Sequence, residues 1–198
     1  IFTKLMFNFS WWLNRKDSDG SNLFEGGFLG MDNISVFDRS RDVPPGWRLA
    51  QSDATRWMAL SSLSMLRIAL ELSRDDLAFD GLATTFLEHF LSVAVAMETV
   101  VTDDVSLWDE ADGFFYDVLV GPDGRSEPVR LRSLVGLLPL IAVAHAPDWI
   151  TRELPDFVAR MRWLQRRRPD LTDALVTTRA EGQVVTSLAP LTAARAQA

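Results

Sequence analysis

The apolar positions of residues 1 to 14 recur at helical spacing and predict a first helix. Leu5, Phe9 and Trp12 fall on one side, with Phe2, Met6 and Leu13 beside them. Residues 14 to 22, NRKDSDGSN, are turn chemistry. From Leu23 to Ser52 no period holds. A loop of that length in a compact domain is usually functional or disordered, and Phe24, Phe28, Phe37 and Trp47 argue against disorder.

Periodicity returns at residues 54 to 73, with Ser52 or Asp53 placed to cap the helix. Leu63, Leu66 and Leu70 form its apolar stripe, Trp57 and Leu60 an adjoining one, and Ala59, Ser61, Ser62 and Ser64 permit close packing. A third helix is predicted over 81 to 100, with Phe86, Phe90, Val93 and Met97 on one stripe. Two β-like runs, 114 to 119 and 129 to 131, flank GPDGRS and predict a small hairpin. Residues 134 to 146 read as an apolar helix that Pro139 starts or kinks. Residues 153 to 167 read as a helix with Phe157, Met161 and Leu164 inside and arginines outside. Residues 169 to 198 read as a weakly structured tail. No sustained heptad or strict repeat is visible. Helical hairpins whose long loops gather on one side suggest an all-α fold, an α/α barrel or solenoid, with one small β-hairpin.

Composition narrows the chemistry. The 198 residues are 47% hydrophobic and 24% charged, which excludes a disordered chain. There is no cysteine, so disulfide scaffolds, cysteine–zinc sites and thiol nucleophiles are excluded. Two histidines, His89 and His145, leave little room for a histidine-rich metal site, and both read as core or helix-end residues. The net charge of −7 argues against a nucleic-acid partner, and the run Arg160, Arg162 and Arg166 to Arg168 reads as a solvated helix face. The least charged stretch, 131 to 146, is too short and interrupted to span a membrane. The start at Ile1, directly in an apolar helix with no leader before it, suggests an internal piece of a longer, cytoplasmic protein.

Two clusters can carry chemistry. Asp32 follows the Gly-rich, aromatic run EGGFLGM. A carboxyl among apolar groups has its charged form disfavoured and can act as a general acid; the plainer reading is an Asp capping a turn. The second cluster is Trp108-Asp109-Glu110-Ala111-Asp112-Gly113-Phe114-Phe115-Tyr116-Asp117. Rings stack on the apolar face of a pyranose while carboxylates accept from its hydroxyls. The plainer reading is an Asx-turn followed by a strand. Other motifs fall away. Aligning Gly20 with the glycine of an EF-hand puts Arg15 and Gly26 at ligand positions, and Gly26-Gly27 precedes neither a Lys nor a helix start. Asn8-Phe9-Ser10 and Asn33-Ile34-Ser35 match the glycosylation acceptor pattern, which is common by chance. Asp75-Asp76 hints at a terpene-cyclase acidic pair but reads more simply as a helix connection.

Residues 8 to 40, 49 to 72 (LAQSDATRWMALSSLSMLRIALEL), 107 to 119 (LWDEADGFFYDVL) and 129 to 143 (VRLRSLVGLLPLIAV) resemble glycoside hydrolase family 63. That family includes processing α-glucosidases and bacterial mannosylglycerate-hydrolase-like enzymes. The resemblance implies an (α/α)6 barrel and inverting hydrolysis of an oligosaccharide or small glycoside, with no metal or cofactor. It makes residues 15 to 52 an active-site loop. GMDNISVFD is similar to the general-acid segment of related six-hairpin enzymes and places that role on Asp32, with Asp38 a weaker candidate; Met31 stands where relatives carry tryptophan. Trp108, Asp109, Gly113, Tyr116 and Asp117 match a WDxxxGxxYD pattern that implies a sugar-binding role, and Asp53 and Trp57 are expected to point toward the same pocket.

Inversion needs a second carboxyl about 6.5 to 9.5 Å away to activate water. The family's glutamate base has no counterpart after residue 120, because Glu127, Glu153 and Glu181 stand in the wrong contexts. The expectation is a partial catalytic domain that carries the acid, lacks the base and is inactive alone. The rival expectations are a non-catalytic helical carbohydrate-binding or scaffold module, and a cyclase or lyase on the same barrel.

Overall fold

The structure is a computed structural model describing residues 1–14, 22–24, 38, 43, 45–98, 100–102, 105–172, 175–180 and 183–189. In chain order the elements are α1 (Phe2–Leu13), β1 (Arg48–Ala50), α2 (Ser52–Ser73), α3 (Ala78–Glu98), β2 (Val100–Thr102), β3 (Val105–Ser106), β4 (Trp108–Asp109), β5 (Phe114–Phe115), β6 (Asp117–Val120) and β7 (Ser126–Val129). A 3-10 helix (Leu134–Ile141) follows, then β8 (Ala144–His145), α4 (Ile150–Glu153), α5 (Pro155–Arg167), α6 (Pro169–Thr172), β9 (Leu175–Ala180) and β10 (Gln183–Leu188). The chain is therefore mostly helical, with small antiparallel sheets beyond the single hairpin expected. It forms two compact units, residues 1–58 with 96–141, and residues 59–95 with 142–198.

In the first unit, β6 is the middle of a three-stranded sheet in the order β1-β6-β7. Leu49 pairs with Leu119 and Ala50 with Val118, while Val118 also faces Pro128. The expected hairpin is here. Its turn is closed by the Gly121 amide on the Arg125 carbonyl at 2.8 Å, with Gly124 at φ 81°. Of α1, Phe9 is buried, while Phe7 and Trp11 face outward.

Residues 134 to 146 depart from the expected α-helix. Pro139 lacks an amide donor, and residues 134–141 wind into the tighter 3-10 form, with β8 following. At three residues per turn, Leu134, Leu137 and Leu140 fall in one row, and all three are exposed. Gly136 lies so close to β5 that a Cβ there would overlap the Phe114 ring and the Phe115 carbonyl oxygen.

In the second unit the expected stripes are buried: Leu63, Leu66 and Leu70 of α2, and Phe86, Phe90 and Val93 of α3. Pro155 opens α5 at a position where its missing amide is harmless. Phe157 and Leu164 are buried there, and Arg160, Arg162, Arg166 and Arg167 are exposed. Asp76 Oδ1 accepts the Ala78 amide at 2.9 Å, so the Asp75-Asp76 pair belongs to the connection that opens α3. His145 is exposed on β8 rather than lying in a core or at a helix end, because β8 alternates a buried Ala144 with an outward neighbour. The expected tail instead contributes α6 and the paired strands β9 and β10, whose Ser187 and Leu188 pair with β8.

Candidate functional site

Asp32 lies outside the described residues, as do the Gly-rich run before it and Glu181; Asp38 is described and exposed. The other candidates all belong to the first unit. They fall into two groups, one on the turn between β4 and β5, the other where β6 meets the start of α2.

The β4–β5 turn is an Asx-turn. Asp109 Oδ1 accepts the amides of Ala111 and Asp112 at 3.0 and 2.9 Å. Its carbonyl accepts the Gly113 amide at 2.9 Å, and Gly113 takes φ 59°. Asp109 Oδ2 accepts from Arg130 Nη2 at 2.8 Å. Asp112 accepts from the Tyr116 hydroxyl at 2.8 Å and from Arg132 Nη2 at 2.8 Å, while Arg132 Nε donates to the Tyr116 oxygen at 3.3 Å. The Tyr116 hydrogen bond and the Arg132 charge hold the Asp112 carboxyl below its ordinary value, and Tyr116 and Asp112 in turn raise Arg132. Trp108 and Tyr116 are buried, Trp108 edge-on to Phe115 with centroids 4.9 Å apart. The turn reading thus accounts for Asp109, and neither ring presents an open face of the kind a sugar stacks on.

The second group was expected to line a sugar pocket too, with Ser52 or Asp53 capping α2. The cap comes from elsewhere. Asp117 Oδ1 accepts both the Ser52 amide at 2.9 Å and the Ser52 hydroxyl at 3.0 Å. A carboxylate at a helix N-terminus meets unpaired amides and the positive end of the helix dipole. Asp53 turns its Oδ1 to the adjacent Ala54 amide at 2.9 Å and is fully buried. Trp57 is 37% exposed and is the candidate ring that solvent reaches.

One turn after Ser52, Arg56 is 0% exposed. Its guanidinium lies 5.7 Å from the centroid of the Phe115 ring. Nε, Nη1 and Nη2 are all buried with no hydrogen-bond partner among the described residues. Burial pushes the group well below its ordinary value, against the counter-charge of Glu98. Sequence reading passed over Arg56, because an arginine next to Trp57 in a helix looks like a surface residue.

A crevice lined by Phe115, Tyr116, Asp117, Ser133, Val135 and Gly136 among others holds about 10 Å³. That is room for about one water, against the roughly 300 Å³ or more of a small-molecule pocket. No group of three or more His, Asp or Glu among the described residues could hold a metal ion. No described helix is long and apolar enough to cross a membrane.

The comparisons with known proteins give one relative. The chain is 42% identical over 184 residues to a Saccharomyces cerevisiae protein described as uncharacterized protein YMR196W, covering 87% of this chain and 17% of that protein. The chain therefore spans about one-sixth of the relative's length. No protein-family profile matches, and no solved structure matches.

Proposed function

We propose that this chain is part of an inverting α-glycoside hydrolase built on an (α/α)6 barrel, in which Asp32 protonates the glycosidic oxygen. The observation that supports this reading is the junction of two segments that resemble family 63. Asp117, ending the WDxxxGxxYD run, is hydrogen-bonded to Ser52 of the QSDATRW run, 65 positions away in sequence. In this reading Asp109, Tyr116 and Asp117 position the segment, and Trp57 is the group left to meet the sugar.

The test uses the longer polypeptide that carries this chain, with unactivated α-linked disaccharides as substrates. The expected result is sugar release with inverted anomeric configuration, reduced at least about 100-fold by Asp32→Asn, as loss of a general acid does. The 198-residue chain alone is expected to release none, because in this reading it carries the acid without the base. Retained configuration, or full activity in Asp32→Asn, would remove the proposal.

A second reading, a non-catalytic helical carbohydrate-binding or scaffold module, draws on the internal bonding of Asp109, Asp112 and Asp117. It is distinguished by oligosaccharide binding without turnover in the longer polypeptide.

A further inference from the structure

Arg56 is an unusual occupant of its position. An arginine keeps its proton at neutral pH, carries five N–H donors and accepts nothing. Here Phe115 covers one face of the guanidinium, and none of its three nitrogens has a hydrogen-bond partner among the described residues. Glu98 offsets charge, but it gives the guanidinium no acceptor. Other carboxylates of the same unit are engaged: Asp117 by Ser52, Asp109 by Arg130, Asp112 by Tyr116 and Arg132. A side chain kept only for packing would be better served by an apolar residue of like volume, since a buried unpaired charge destabilises a fold.

We propose that Arg56 is the receptor for an oxyanion, a carboxylate or a phosphoryl group, carried by a small ligand. The planar fork of a guanidinium matches two oxygens of either group in parallel, and burial strengthens such bonds. The closed site requires local opening to admit the ligand, so association is slow, below roughly 10⁵ M⁻¹s⁻¹. The assignment concerns binding and stands apart from hydrolysis.

The test is thermal unfolding and titration calorimetry of the full chain with inorganic phosphate, glucose 6-phosphate and glucuronate. Glucose and sodium chloride at matched ionic strength are the controls. A saturable rise in Tm with an oxyanion, absent with glucose and chloride, is expected. A response to the phosphates alone identifies a phosphoryl ligand, and one to glucuronate alone a carboxylate. Arg56→Met is expected to lose the response and to unfold at a higher Tm than the parent in ligand-free buffer. Arg56→Lys keeps the charge without the fork and is expected to bind at least 10-fold more weakly. The proposal is overturned if no oxyanion gives a saturable shift, or if Arg56→Met shifts as much as the parent. Should Arg56→Met fail to fold, equal affinity in Arg56→Lys overturns it.

Discussion

Asp117 shows how a residue that reads as chemistry can serve architecture. Its Oδ1 accepts two bonds from Ser52 and opens a helix of 22 residues. Replacing it with Ala leaves a buried amide and hydroxyl unsatisfied, an expected loss of roughly 1–3 kcal/mol in denaturant unfolding. Asp117→Asn keeps an acceptor of the same shape, and its loss is expected to stay under about 1 kcal/mol. Equal losses would mean that the negative charge, rather than the cap, is what the site needs. The acidic-aromatic pattern of 108 to 117 was visible in the sequence, but its two uses, Asx-turn and remote cap, were not. A side chain that bonds a partner 65 positions away leaves no local signature.

At the scale of elements, the segment 134–141 is the instructive case. Its apolar content suggested an α-helix, yet it forms a 3-10 helix lying against β5. Close approach is what Gly136 permits. Gly136→Ala would force a methyl into the Phe114 ring and the Phe115 carbonyl, and an expected destabilisation of about 1–3 kcal/mol should appear as a lowered denaturant midpoint. Unchanged stability would mean that the two elements separate freely. The long stripes of α2 and α3 were legible because helical periodicity over 20 or more residues averages out local exceptions. Strands of two to four residues, such as β4 to β7, offer too few positions for any period to show.

For the molecule as a whole, pH response divides between opposed groups. In the second unit Asp80 is buried, its Oδ1 has no hydrogen-bond partner among the described residues, and Arg160 Nη1 stands 3.7 Å from its Oδ2. Burial raises this carboxyl above the ordinary 3.8, with Arg160 opposing. Its stabilising contribution is therefore complete below about pH 3.8 and lost as pH rises through the raised value. Asp112 and Asp170 are lowered, by Tyr116 and Arg168 first, so their contributions hold above 3.8 and vanish as pH falls through their depressed values. Asp80→Asn is expected to gain in Tm over the parent as pH rises from 3.8 towards neutrality. A difference that stays constant across that range would show that Asp80 does not titrate there.

The sequence by itself determined the mainly helical character, the buried stripes of α2, α3 and α5, the 121–125 turn and the outward arginines, because each follows from spacing within one segment. Its candidate residues 108 to 117 were found by type alone. Tertiary structure decided what those residues bond to, placed Asp117 on Ser52, paired β9 and β10 with β8 where a loose tail was expected, and enclosed Arg56 against Phe115. These outcomes depend on segments far apart in the chain, whose meeting is fixed by packing and by the need to satisfy buried polar groups.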